Sequence, residues 1–181
     1  MDPTALIGIL QQGLPGSQID SVPSLDAQPT IVVPGAGIVQ TLRTLRDHPD
    51  LRFALLAELT AIDFWPRDPR YELTYILVSV EHRLRLRVKV KLAGDAPHID
   101  TVTPIWPGAN WLEREVWDLF GIVFDGHPDL RRLLMPEDWE GHPLRKDSPV
   151  QIRMKPETTQ PTQVTAEEFR ANVERDRRAR K

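Results

Sequence analysis

Between residues 71 and 92 the pattern of apolar and polar positions describes a sheet. Residues 71–80, YELTYILVSV, are a nearly continuous apolar run of the length of a well-buried strand. Residues 83–92, RLRLRVKVKL, alternate without a break. Leu84, Leu86, Val88, Val90 and Leu92 fall on one face, and Arg83, Arg85, Arg87, Lys89 and Lys91 on the other. Glu81 and His82 fall at the turn of an antiparallel hairpin. Upstream the period is helical. Asp2 caps a first helix, Pro3 opens it, Leu6, Ile9 and Leu10 form its apolar stripe, and Gly13 lies past its end. Residues 18–22 and 29–33 are short strands. Pro34 and Gly35 open a second helix over about 36–48, with Ile38, Leu42 and Leu45 on one stripe and Pro49 as its stop. Residues 52–64 read as a helical turn followed by a strand ending near Asp63 and Phe64.

Downstream of the sheet, Asn110 with Glu113 three residues on has the form of a capping box, and Gly121 is the expected left-handed stop of the helix. Leu112, Val116, Leu119 and Phe120 supply its apolar side. Arg114 and Asp118 are four apart, the spacing of a surface ion pair. Residues 121–160 are rich in glycine and proline and lack periodicity, which marks an ordered loop or extended arm. Thr165 and Glu168 form a second capping box, with Val164 and Phe169 at its staple positions and Val173 continuing the stripe. Residues 151–181 hold eight Lys/Arg against five Asp/Glu, and so short a helix needs a partner to be stable. The pattern predicts an α+β fold: a two-layer sandwich of a mostly antiparallel mixed sheet with helices on one face, plus an extended C-terminal arm. The expected division is a core domain over 1–120 and a partner-docking arm over 121–181.

The bulk numbers narrow the function. At 181 residues the chain has room for one domain and an extension. A net charge of −3 does not suggest non-specific nucleic-acid binding. Cysteine is absent, which removes disulfides, thiol catalysis and cysteine-held zinc or iron–sulfur clusters. No apolar run approaches the ~20 residues of a membrane span. Met1 to Gly13 lacks the basic start of a secretory signal, so the chain reads as a soluble polypeptide whose membrane link comes through a partner.

Four candidate readings remain. Two Gly-His-Pro triplets, 126–128 and 141–143, could offer His127 and His142 to a metal, with Asp129 and Asp118 as carboxylate ligands. The histidines are far apart in sequence, however, and glycine before and proline after each one favour tight turns. Glu113, Arg114, Glu115 and Asp118 lie beside Trp111 and Trp117 and could perform acid–base work. With no nucleophile or cofactor motif nearby, ion pairing within the fold and across an interface is the better reading. The basic face from Arg83 to Lys91 is that of a solvated sheet or of a contact for an acidic protein. Arg131, Arg132, Arg145 and Lys146 alternate with Leu130, Leu133, Leu134, Met135, Trp139 and Leu144 on irregular backbone, a composition typical of protein interfaces.

The string Glu113-Arg114-Glu115-Val116-Trp117-Asp118-Leu119-Phe120-Gly121-Ile122 resembles the signature of the 30 kDa subunit of respiratory complex I, also called the C subunit of bacterial NADH-quinone oxidoreductase. The likeness continues through Gly126-His127-Pro128-Asp129-Leu130-Arg131-Arg132 and closes with Gly141-His142-Pro143-Leu144-Arg145-Lys146-Asp147. Trp106-Pro107-Gly108-Ala109-Asn110-Trp111-Leu112 fits as well. Ser148 departs from the family, which often places an aromatic there. The resemblance covers about residues 30–150.

The resemblance implies a cofactor-free subunit of the peripheral arm, on the cytoplasmic face of the bacterial membrane. It would pack against the 49 kDa (D-like) subunit, which helps form the quinone site, and against neighbouring iron–sulfur subunits. FMN and the iron–sulfur clusters would reside on partners, in a complex coupling electron transfer from NADH to quinone with proton translocation. The residues expected to serve partner binding are Glu113, Arg114, Glu115, Trp117, Asp118, His127, Arg131, Arg132, Trp139, His142, Arg145 and Lys146. No catalytic residue is expected on this chain. An equivalent subunit of a membrane-bound hydrogenase or ferredoxin-dependent relative is the alternative, and a metal-dependent enzyme using His127, His142 and Asp129 a more distant one.

Overall fold

The computed structural model describes residues 3–13, 18–26, 28–148, 165, 167–171 and 175. Met1–Ser148 forms one compact unit and Pro149–Lys181 a second. The first unit runs α1 (Pro3–Gly13), β1 (Asp20–Ser21), β2 (Thr30–Val33), α2 (Ile38–Asp47), β3 (Leu55–Asp63), β4 (Tyr71–Ser79), β5 (Leu84–Leu92), β6 (His98–Asp100), α3 (Ala109–Phe120) and β7 (Val123–Asp125). Five strands make a mixed sheet in the order β1-β2-β5-β4-β3, and β6 and β7 form a separate parallel pair. Within the large sheet only β2 and β5 run parallel. This is the expected α+β sandwich.

The alternation of β5 translates directly into layers. Leu86, Val88, Val90 and Leu92 join the core with Leu6 and Leu10 of α1, Ile38, Leu42 and Leu45 of α2, and Val116 and Phe120 of α3. On the opposite face Arg87 pairs with Asp26 at 2.7 Å and Lys89 with Glu72 at 2.6 Å, while Arg85 and Lys91 carry no ion pair among the described residues. β4 lies between β3 and β5, and its residues Tyr71, Leu73, Tyr75 and Leu77 are fully buried. Thr74 and Ile76 are buried on its other face, opposite Lys89 and Arg87, whose aliphatic stems can cover them. Arg83 does not begin the strand as the alternation predicts. It adopts φ +53° and closes the turn, so β5 starts at Leu84.

Two interactions fix the segment between the sheet and the third helix. Trp106 Nε1 donates to the carbonyl of Ala54 at 3.1 Å, and Arg46 Nη1 donates to that of Ile105 at 2.9 Å. They set the entry to α3, which packs on β3. The helix starts at Ala109 with Gly108 as its cap, so Asn110 is inside it and the expected capping box does not form. The Glu113 side chain is engaged elsewhere, by the 101–102 segment. At the other end Gly121 adopts φ +78° and its N–H bonds the Trp117 carbonyl at 2.8 Å, the stop that the sequence predicts.

The division expected at residue 120 falls instead after Ser148. Residues 121–148 contribute β7 and return to α3, so they belong to the α+β unit. In the second unit, Thr165 and Glu168 bond reciprocally: the Thr165 N–H reaches Oε2 at 2.9 Å, and the Glu168 N–H reaches Thr165 Oγ1 at 3.3 Å. This is the predicted capping box. The Asp2 cap and the staple and stripe residues Val164 and Val173 lie outside the described residues.

Candidate functional site: a charged strap over helix α3

α3 carries two carboxylates on its buried side, and the fold treats them oppositely. Asp118 has no exposed side-chain surface. Its Oδ2 accepts the backbone N–H groups of Leu133, Leu134 and Met135 at 3.0, 2.8 and 2.9 Å, and its Oδ1 accepts Arg132 Nη1 at 2.8 Å. Burial pushes this carboxyl up. The N–H groups of Met135, Leu134 and Leu133 and the Arg132 guanidinium outweigh it and hold Asp118 below the usual carboxylate range. The expected Arg114–Asp118 surface pair is therefore absent, because each side chain has a stronger partner across the fold. Arg114 Nε and Nη2 donate to the carbonyls of Arg131 and Arg132 at 3.2 and 3.0 Å, and its guanidinium lies 5.0 Å from the Trp111 ring.

Glu113 has no such compensation. Its Oε2 accepts the Thr101 hydroxyl at 2.5 Å and its Oε1 the Val102 N–H at 2.7 Å. Burial dominates and raises its pKa to about 7. His127 Nε2 is 3.9 Å away, with both side chains fully buried. That nitrogen faces the Asn110 carbonyl at 3.2 Å, while Nδ1 accepts the Asp129 N–H at 3.0 Å. With Nδ1 accepting from Asp129, Nε2 is left to donate to the Asn110 carbonyl.

The strap, residues 131–148, closes back onto α3. Arg132 Nη2 donates to the carbonyls of Trp139 and Gly141 at 2.6 and 3.2 Å. His142 Nδ1 donates to the Asp118 carbonyl at 2.9 Å, and its ring meets Trp117 edge-on at 6.0 Å. The Leu144 N–H reaches the Leu119 carbonyl at 3.0 Å. Of the other expected site residues, Arg131 is exposed and pairs with Asp129 at 2.9 Å. Glu115 is half-buried with no ion pair or side-chain hydrogen bond among the described residues. The proposed ligands His127, His142 and Asp129 are not brought together, and no three His, Asp or Glu side chains among the described residues could hold a metal ion.

A second cluster, which the sequence pattern does not reveal, anchors the end of the strap. Arg70, on the approach to β4, grips Asp63 through Nε and Nη2 at 3.0 and 2.9 Å. It also reaches Asp95 at 2.6 Å and Asp147 at 2.9 Å. Asp63 Oδ1 accepts the Trp65 N–H at 2.9 Å, and its Oδ2 accepts the Lys146 N–H at 2.8 Å. Arg145 chelates Asp147 at 3.1 Å and donates to the Asp95 carbonyl at 3.0 Å. Burial opposes ionisation of Asp63, but Arg70 and the Lys146 and Trp65 N–H groups hold its pKa below the usual range. Arg70 and Arg145 do the same for Asp147. No local spacing signals this cluster, because its members come from separate segments.

The strap and α3 expose three apolar side chains: Trp111 at 59%, Leu134 at 59% and Leu144 at 46%. Leu134 and Leu144 lie in the stretch whose composition reads as an interface, but none of the three is among the twelve residues expected to serve partner binding. Among the described residues no helix is long and apolar enough to cross a membrane.

Fold and site define an α+β domain whose C-terminal helix is clamped by an irregular, ion-paired strap. The family model described as "Respiratory-chain NADH dehydrogenase, 30 Kd subunit" matches residues 31–153, and the chain belongs to that family. It is a C subunit of the NADH-quinone oxidoreductase type, part of a multisubunit complex. It is 44% identical to the NADH-quinone oxidoreductase C subunit of Roseiflexus castenholzii over 83% of this chain and 86% of that one. It is 47% identical to the NADH-quinone oxidoreductase C/D subunit of Methylococcus capsulatus over 68% of this chain, which is 22% of that longer protein. Among solved structures it matches the trypsin-resistant fragment (1-134) of Nqo5 with a TM-score of 0.58 and 31% identity, over 72% of this chain and 100% of the fragment. It also matches a chain of the membrane-bound sulfane sulfur reductase, an archaeal respiratory membrane complex, with a TM-score of 0.67 and 27% identity, over 81% and 85% of the two chains.

Proposed function

We propose that this chain is a cofactor-free, non-catalytic subunit that braces the 49 kDa (D-like) subunit at the quinone site. It does so on the cytoplasmic face of the bacterial membrane, with neighbouring iron–sulfur subunits also in contact. FMN and the iron–sulfur clusters sit on partners, and the complex couples NADH-to-quinone electron transfer to proton translocation. The observation that carries the reading is the division of labour in the strap. Arg132 and Arg145 turn inward and, with Asp118 of α3, fix the strap backbone, while Leu134 and Leu144 of the strap and Trp111 of α3 face solvent as large apolar side chains of the kind that anchor interfaces. Glu113, Asp118 and His127 have no exposed side-chain surface, so they act on the partner only through the backbone they hold: the strap for Asp118, the 101–102 segment for Glu113, and Asn110 and Asp129 for His127. Arg131, Lys146 and the half-buried Glu115, Trp117, Trp139, His142 and Arg145 can flank the contact. The Methylococcus capsulatus relative supports the choice of partner, since its C/D name joins the two subunits in one polypeptide.

The test is a tagged pull-down from detergent-solubilised membranes, comparing the natural chain with Trp111→Ser/Leu134→Ser. The natural chain should recover a large complex containing flavin and iron, with NADH:quinone activity, and the variant should lose it while remaining folded. A lone chain recovered from the natural protein would overturn the reading. A large eluate without NADH activity would favour the equivalent subunit of a reductase- or hydrogenase-type complex, to which the sulfane sulfur reductase match gives support.

A further inference from the structure

Glu113 is the one fully buried carboxylate on α3 that contacts no guanidinium or ammonium group among the described residues. Its surroundings suit both protonation states. Thr101 Oγ1 lies 2.5 Å from Glu113 Oε2 on one side and 3.0 Å from Thr103 Oγ1 on the other. Thr101 is buried and Thr103 half-exposed. The Thr103 N–H also donates to Thr101 Oγ1 at 3.2 Å.

We propose that Glu113 is a proton-binding site, connected to solvent through the hydroxyls of Thr101 and Thr103.

The hydrogen bonds close in both states. With Glu113 charged, Thr101 donates to the carboxylate and accepts from the Thr103 hydroxyl and N–H. With Glu113 neutral, the carboxyl O–H donates to Thr101, which donates in turn to Thr103 and still accepts its N–H. Each state uses one donor and two acceptor positions on Thr101, the full capacity of a hydroxyl. Proton uptake converts one arrangement into the other. Thr101 gives its proton to Glu113, takes the proton of Thr103, and Thr103 takes one from a solvent hydronium ion, which is left as water. Three O–H bonds form within the chain and two break, and the net change is one proton bound. The Val102 N–H bond to Oε1 persists throughout.

The remaining neighbours leave the charge uncompensated. Tyr75 of β4 faces Glu113 with a buried phenol, raised by burial and by the charges of Glu113 and Asp100. The His127 ring is engaged by Asn110 and Asp129, and Arg114 on the same helix is turned to the strap carbonyls. A carboxyl so placed binds a proton more tightly than one in water.

The experiment is a pH titration of the full-length chain carrying 13C-labelled glutamate carboxyls, followed by NMR. One resonance should titrate near pH 7 and be missing in Glu113→Gln. Thr101→Val removes a donor to the charged form and should raise that midpoint by about one pH unit. Thr103→Val should leave the midpoint in place and broaden the resonance by slowing proton exchange. If every glutamate titrates below about pH 5, as in water, the site does not exist. If the neutral-range resonance persists in Glu113→Gln, it belongs to another residue and the assignment fails. A Thr103→Val chain with unchanged exchange would overturn the hydroxyl route. Should Glu113→Gln fail to fold, the Thr101→Val shift alone decides.

Discussion

The imidazole of His142 stands where a side chain on Gly121 would have to go. A Cβ at Gly121 would lie 2.6 Å from His142 Cδ2 and 2.7 Å from Nε2. The same glycine holds φ +78°, so backbone freedom and space coincide at one position. Gly121→Ala should destabilise the domain by about 2–4 kcal/mol, combining left-handed strain with displacement of the ring. Urea unfolding measures this. Adding His142→Ala should recover part of the loss, and strict additivity of the two changes would rule out the contact.

The adjacent arginines of the strap should separate cleanly. Arg132 is mostly buried and neutralises Asp118, so Arg132→Ala should lower stability by about 3 kcal/mol by leaving a buried carboxylate without its cation. Arg131 is 71% exposed, and its alanine variant should stay within about 0.5 kcal/mol of the natural chain. Any larger effect of Arg131→Ala is expected only in complex assembly. Equal thermal shifts for the two variants would contradict this picture.

The clamp around Arg70 gives a third expectation. Arg70→Met leaves the fully buried Asp63 carboxylate uncompensated and should destabilise by about 3–5 kcal/mol. Asp63→Asn in the same chain should restore much of that, since the buried charge is then gone. Limited proteolysis within the end of the strap should accelerate in the single variant and slow again in the double.

The pH dependence has two limbs of opposite sign. Asp63, Asp118 and Asp147 have folded values below the unfolded one. Their contribution is present above about pH 4 and lost as pH falls through the folded values. Glu113 has a raised folded value, about 7. Its contribution is complete below the unfolded value of 4.5 and lost as pH rises to about 7. The natural chain should therefore lose about 2–3 kcal/mol between pH 5 and 8 through this group. Glu113→Gln should flatten that limb and leave the acid limb unchanged, as chemical denaturation across the pH range would reveal.

How much can be read in advance depends on the range of the interactions. The hairpin of β4 and β5, the stripes of α1 and α2, the Gly121 stop and the Thr165–Glu168 box depend on neighbours a few residues away, and their periods or motifs are written locally. The misreadings on α3 have the same origin. Asn110/Glu113 and Arg114/Asp118 have the right spacing for local pairs, but each of Glu113, Arg114 and Asp118 finds a partner delivered by a distant loop. Asp63, Arg70, Asp95 and Asp147 have no signature, because a carboxylate and its guanidinium need no fixed spacing when the fold brings them together. The family resemblance picks out the strings around Asp118, His127 and His142 as a unit. It does not tell which of their charges face inward.

The Asp63 carboxylate also bears on the time course of folding. It joins residues 83 positions apart when it accepts the Lys146 N–H. During synthesis the whole five-stranded sheet has been made before Lys146 and Asp147 exist, so this junction closes late, over a long loop. Contacts that form after the rate-limiting barrier leave the folding rate nearly untouched and slow unfolding instead. The clamp should accordingly act on the lifetime of the finished domain, lengthening the time for which the strap holds its shape to meet a partner.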